Sequence, residues 1–146
     1  MTDPELVLRP FRISDYDAAL ALWQACEGIG LSAADERRAI AGYLRRNPRL
    51  SFVAYRGERL VGAVLCGHDG RRGFIHHLAV AADCRRQGLG QALVAHCLAA
   101  LQARGIDKCH LFVMAANAEA LAFWRRIGWE QRFDLVILSH FTGKLP

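Results

Sequence analysis

Residues 85–91 read Arg-Arg-Gln-Gly-Leu-Gly-Gln, and Gly88 and Gly90 stand at the head of a run with helical periodicity. A helix N-terminus leaves its first N–H groups without intrahelical acceptors and carries a partial positive charge. Glycines let a ligand approach those groups closely, so the arrangement suits an anion, best of all a phosphate. Arg85 and Arg86 add formal charge at its rim. A Walker loop would need G-x-x-x-x-G-K-[ST], which the chain lacks. A dinucleotide fingerprint would need Gly or Ala where Leu93 stands. The second group with chemical potential is the pair His76-His77. An imidazole titrates near pH 6.5 and can take a proton at neutral pH. Strand alternation predicts Phe74, His76, Leu78 and Val80 on one face and His77 on the other. The two rings are therefore not expected to share a site, and His77 is expected to pack against a helix. The remaining histidines, 68, 96, 110 and 140, show no ligand spacing, and no metal site is expected.

Elements must hold these groups in place. Leu6–Phe11 reads as a strand, with Pro10 marking an edge or an end. Ser14 is placed to cap a helix with Asp15 and Asp17 in its first turn, and Ala18, Leu22, Ala25 and Cys26 form its apolar stripe. Ser32 starts a second helix, with Glu36 near its N3 position and Ile40, Tyr43 and Leu44 on its buried side; Asn47-Pro48 ends it. Residues 51–56 and 60–67 are apolar runs joined as a hairpin through Gly57-Glu58-Arg59, and 74–80 is a third strand of the same meander. The run 88–104 is a helix whose apolar face comprises Leu89, Leu93, Cys97, Ala100 and Leu101. Residues 108–115 form a strand, Asn117 caps a helix over 118–127, and 129–139 supplies one or two last strands. The predicted order is β-α-α-β-β-β-α-β-α-β, an α/β fold with a mixed, mostly antiparallel sheet and helices on both faces. The strand, long helix and strand from 74 to 115 imply a right-handed crossover and a parallel pair.

Composition narrows the class. With 146 residues, the expectation is a single domain over 1–146. Hydrophobic residues at 53% exclude a disordered chain, and no apolar run is long enough for a membrane span. Net charge is +5 and seventeen of the nineteen basic residues are Arg, but they scatter over several elements. A basic stripe for nucleic acid is not expected. The five cysteines show no C-x-x-C spacing, and the N-terminal residues do not read as a signal peptide, so reduced thiols and a cytoplasmic location are expected.

The loop fits a third phosphate-binding pattern, R/Q-x-x-G-x-G/A, over Arg85–Gly90. One helix and one strand later comes Asn117-Ala-Glu-Ala-Leu-Ala-Phe-Trp-Arg-Arg-Ile-Gly-Trp129, which matches N-x-x-A-x-x-x-Y-x-x-x-G-F except for Trp at the Tyr position and Trp at the Phe position. With these two signatures the chain resembles the GCN5-related N-acetyltransferases (GNAT), and among them the small bacterial YpeA-like members. The resemblance spans most of the chain and is strongest over 74–129. It implies acetyl-coenzyme A (acetyl-CoA) as co-substrate. Backbone groups of Leu78 and Val80 would pair with its pantetheine arm, in a slot opened by a splay between the 74–80 and 109–115 strands. Arg85, Arg86, Gln87, Gly88, Leu89, Gly90 and Gln91 would hold the pyrophosphate, and Asn117 would contact the pantetheine side.

Family members often use a Glu on the later strand as base and a Tyr in the second signature as acid. Here those positions hold Phe112 and Trp124. Phe112 accepts no proton, and an indole N–H donates a hydrogen bond without surrendering its proton. His76 is the candidate base, at a position where some members carry a histidine. The implied reaction is direct transfer of acetyl to an amine of a small molecule or a protein or peptide. The alternative is a non-catalytic CoA-binding sensor or interaction domain. The acceptor wall would lie over Trp23–Tyr43, where Glu27, Asp35 and Glu36 could attract a cationic amine. Val136-Ile137-Leu138 on an exposed last strand would favour a homodimer.

Overall fold

The hairpin around Gly57-Glu58 is the seed of the sheet. Gly57 turns at φ +63, a left-handed backbone that a residue with a Cβ adopts only with strain. It joins β2 (Phe52–Arg56) to β3 (Arg59–His68), and β4 (Gly73–Val80) continues the meander. The computed structural model describes residues 4–143. Five strands stand in the order β1-β2-β3-β4-β5, with β1 at Leu6–Pro10 and β5 at Cys109–Leu111. The first three pairings are antiparallel, and β4 with β5 is parallel. The mixed, mostly antiparallel sheet is thus as the sequence predicts.

Helix α3 (Leu89–Ala103) covers one face. A Cβ on Gly62 would stand 2.9 Å from Leu93, and one on Gly73 would stand 2.6 Å from Leu101, so both glycines admit α3 closely. Helices α1 (Tyr16–Ala25) and α2 (Arg37–Arg46) cover the opposite face. There Phe11, Trp23, Ile40, Val53, Ala63, Leu65 and Ala79 close a common core. The periodicity of α1 is as expected, but its phase is shifted by one residue. Tyr16, Ala19 and Trp23 are buried, while Ala18 and Ala25 are exposed. The cap also differs. A short 3-10 turn at Ile13–Asp15 precedes α1, and the Asp15 carboxylate accepts the Arg12 N–H at 2.9 Å, a role Ser14 does not take. Asp15 is buried and also accepts Arg9 twice and the Tyr55 hydroxyl. Burial raises its pKa, but those donors outweigh it and leave the carboxyl below its ordinary value. Before α2, Ser32 caps a 3-10 turn at Ala33–Asp35, and Asp35 answers Ser32 where Glu36 was expected to. Glu36 is extended, and α2 starts after it.

The residues through Met114 form one compact unit and those from Ala115 a second. In the second, α4 (Ala118–Arg126) begins at Asn117, whose side-chain oxygen accepts the Ala120 N–H at 3.0 Å. The strand expected over 108–115 shortens to three residues, because its parallel partner β4 departs from regular pairing after Ile75. The last strands expected over 129–139 do not form among the described residues. Strand propensity alone supplies no ladder, and Phe133, Val136, Ile137 and Leu138 stand largely exposed. No helix among the described residues is long and apolar enough to cross a membrane.

Candidate functional site

The site starts from an irregularity in β4. Leu65 pairs with His76 and Ala63 with Ala79, so two residues of β4, His77 and Leu78, face the single residue Val64. This is a β-bulge, and His77 carries it at φ +52. A bulge breaks the alternation that the sequence reading relied on. His77 therefore does not point away from His76. The His76 ring lies 6.5 Å from Tyr43 of α2, and the His77 ring lies 5.2 Å from Trp23 of α1, both on the helix α1/α2 side of the sheet. His77 does pack against a helix, as expected, but on the face it was predicted to avoid. For the same reason Leu78 and Val80 no longer share the face of Phe74 and His76.

Beyond the bulge β4 has an open edge. The parallel ladder with β5 ends at Ile75 and Leu111, so no strand pairs with His76–Val80 on that side among the described residues. Ala81 N–H donates to Val61 on the β3 side at 2.8 Å. Backbone polar groups alternate between the two edges of a regular strand, so those of Val80, beyond the bulge, face away from β3. The ladder between β4 and β5 therefore ends within the stretch where a slot was anticipated.

The loop after β4 delivers the chain into α3. A 3-10 turn at Ala82–Cys84 is tied to β3 by Arg59, which donates to both Asp83 oxygens at 2.8 and 2.7 Å and holds that carboxyl at about 2. Cys84 is buried and packs. Arg86 (φ +62) and Gly88 (φ +81) are both left-handed, and Gly88 is the N-cap of α3. Among the described residues no side chain caps this helix. Its first backbone bond runs from Ala92 N–H to Gly88 at 3.0 Å, so the N–H groups of Leu89, Gly90 and Gln91 precede the ladder. Arg86, Gln87 and Gly88 are exposed beside them. Arg85 behaves differently from its neighbour. Its Nε donates to the Val80 carbonyl at 3.0 Å and its Nη2 reaches the Cys26 sulfur at 3.6 Å, so it braces the end of β4 against the end of α1.

His76 makes ring contacts with Tyr43 and with Phe112, the latter at 6.3 Å, and no hydrogen bond among the described residues. Burial lowers its pKa and the neighbouring His77 lowers it further, while Asp35 opposes both. Its neutral form is thus favoured at pH 7, as a proton acceptor requires. An open cavity of about 220 Å³ adjoins it, lined by Tyr43, Arg46, Asn47, Gly67, Phe74 and His76 among others. The Tyr43 hydroxyl is buried without a hydrogen-bond partner among the described residues, and Gly67 leaves it room, since a Cβ there would lie 2.7 Å away. Tyr43 is thus the helix residue that stands against His76. Asp35, read from sequence as a bait for a cationic amine, is instead buried and bound to His77 and to Ser32 N–H. Glu27 and Glu36 remain exposed.

In the second unit, Trp124 lies in an aromatic cluster, 5.1 Å from Phe123 and 5.0 Å from Trp129, and is partly buried. Asn117 uses its carbonyl oxygen as a helix cap. Phe112 is more than half exposed.

Comparison with known proteins bears on this geometry. The model of the acetyltransferase (GNAT) family matches residues 16–129. An acetyltransferase of Pectobacterium atrosepticum is 32% identical over 123 residues, 84% of this chain and 86% of that protein. The PaiA N-acetyltransferase of Thermoplasma acidophilum, solved in complex with coenzyme A, superposes with a TM-score of 0.75 at 15% identity, over 86% of this chain and 90% of that one. A GCN5-related N-acetyltransferase of Ralstonia eutropha superposes with a TM-score of 0.66 at 22% identity, over 92% and 99%.

Proposed function

Because the chain belongs to the acetyltransferase (GNAT) family and is an acetyl-CoA-dependent N-acetyltransferase, we propose that it moves the acetyl group directly onto an amine held on the α1/α2 side of β4. The observation that carries this reading is the open edge of β4 from His76 to Val80, followed through the 82–84 turn by a helix N-terminus at Gly88 that no side chain among the described residues caps. The Leu78 and Val80 backbone would take the pantetheine arm as an added strand. The N–H groups at 88–91, with Arg86 and Gln87 beside them, would take the pyrophosphate. Arg85 would serve by bracing the end of β4, and Asn117 would offer its side-chain amide to the arm. The family match covers residues from both compact units, which supports treating 1–146 as one acetyltransferase domain.

The chemistry requires a neutral amine, a polarised carbonyl and a leaving thiolate. The amine nitrogen attacks the thioester carbon, the C–S bond breaks, and coenzyme A leaves as thiolate. His76 takes the proton that the amine nitrogen loses. Its burial suits this, because a lowered pKa keeps the imidazole neutral at pH 7. At the Tyr position of the second signature the chain has Trp124, whose indole can donate a hydrogen bond but surrenders no proton. Solvent then supplies the final proton to sulfur. The acceptor is an amine of a small molecule or a peptide.

A thermal melt with acetyl-CoA, desulfo-CoA and ATP tests the cofactor half. Ligand at 100 times its Kd should stabilise the chain by about 2.7 kcal/mol. The expected result is a shift with both CoA compounds and none with ATP. Turnover against an amine panel tests the other half, and binding without any acyl transfer would favour a CoA-sensing domain.

A further inference from the structure

Three elements converge on one residue at the bulge. His77 Nε2 lies 2.8 Å from Asp35 Oδ1 in the turn before α2. The Trp23 indole of α1 donates to the His77 carbonyl at 3.0 Å, and its ring lies against the imidazole. Asp35 is itself held, since its other oxygen accepts Ser32 N–H at 3.0 Å and its carbonyl accepts the Tyr16 hydroxyl at 2.6 Å. Trp23 is fully buried and Asp35 nearly so. A left-handed backbone at a residue with a Cβ persists only where its surroundings over-determine it. Here the surroundings grip both the backbone and the side chain of that residue.

We propose that Asp35, His77 and Trp23 form a positioning device that sets the bulge of β4, and with it the presentation of the Leu78–Val80 edge to acetyl-CoA. His77 acts through the strand and touches neither the reacting atoms nor the cofactor. The device links the turn at 32–35, in the segment read as acceptor wall, to the strand read as cofactor edge. The effect on acetyl-CoA rests on the function proposed above, whereas the setting of the bulge does not.

The test uses the full chain with His77→Gly, His77→Gln and Asp35→Asn. Glycine tolerates the left-handed backbone and deletes the contact. Glutamine restores a donor near the Nε2 position. Asp35→Asn keeps an acceptor oxygen and gives a milder variant should His77→Gly fail to fold. Hydrogen exchange of peptides spanning 75–81, without ligand, reads the bulge. The KM for acetyl-CoA, separated from kcat, reads its use. In His77→Gly the exchange and the KM should each rise about tenfold, as displacement of a binding edge produces, and His77→Gln should bring both back toward wild type. Asp35→Asn should shift both in the same direction by less. Wild-type exchange and KM in His77→Gly and Asp35→Asn would overturn the proposal. So would a fall in kcat at constant KM that His77→Gln does not rescue, because His77 would then act as a base. If wild-type protein neither binds nor uses acetyl-CoA, the proposed function fails, and the exchange arm alone decides whether the bulge is set this way.

Discussion

The two halves of β4 differ although they are one strand. From Gly73 to Ile75 it is paired on both sides, antiparallel to β3 and parallel to β5. Gly73 and Ile75 are buried against the α3 side, where Gly73 lets Leu101 approach. From His76 onward one side is unpaired, a bulge turns the chain, and the side chains that matter are polar. The first half repeats what a central strand does everywhere, satisfying each backbone group within the sheet. The second half leaves backbone groups unsatisfied by the sheet and places an imidazole beside them. A strand that gives up regular pairing halfway along presents an edge to which another extended segment can add, at a cost in local stability.

Substitutions can separate the halves. His76→Ala should produce the largest effect, lowering kcat by about 10²-fold or more while KM for acetyl-CoA stays near wild type, since a positioned base contributes on that scale. Unchanged turnover would remove His76 from the mechanism. The same residue predicts a pH dependence of stability. Its folded pKa lies below the unfolded value of about 6.5, because burial penalises the charged ring. The unfolded chain accepts a proton that the native one resists, so stability falls as pH drops through about 6.5. The melting temperature of wild type should therefore fall relative to that of His76→Phe as pH drops from 7 to below 6. A wild-type profile as flat as the variant's there would contradict the burial argument.

Glycine substitutions should distinguish the halves next. Gly73→Val overpacks against Leu101 and should cost about 1–3 kcal/mol in denaturant titrations, with KM for acetyl-CoA unchanged in the protein that remains folded. A Cβ on Gly88 meets no atom within 4 Å among the described residues beyond its chain neighbours, so the main cost of Gly88→Val is the strained backbone, about 1–2 kcal/mol. Its KM for acetyl-CoA should nonetheless rise severalfold more than that of Gly73→Val. Equal KM changes for the two would erase the functional contrast. Smallest of all, Asn117→Ala should lose about 1 kcal/mol through the helix cap, with a KM change only where the amide also meets the arm.

The loop was legible in the sequence because its requirements are local. Gly88 at φ +81 before a helix is a backbone demand that residue type announces. The hairpin at Gly57-Glu58, the α3 face and the Asn117 cap were legible for the same reason. The bulge was not, since His77 is neither Gly nor Asn and alternation gave a consistent but wrong face for it. Nor was Asp35 legible as a partner of His77, because the two are far apart along the chain and meet only through packing of α1 and α2 on the sheet. The final apolar stretch shows the opposite failure. Leu135–Leu138 has strand composition, yet a strand is defined by a ladder, and among the described residues none is supplied.

By itself the sequence determined the order of elements up to α4, the anion-ready turn into α3 and the two family signatures. Each depends on periodicity, on a cap or on a left-handed glycine, which neighbouring residues specify. Tertiary structure decided which way the two histidines face, where β4 parts from β5, and that Asp35 is a strut for His77 and not a lure for an amine. Those features depend on strands and helices distant in sequence agreeing on one register, and a single inserted residue in a ladder changes every face beyond it.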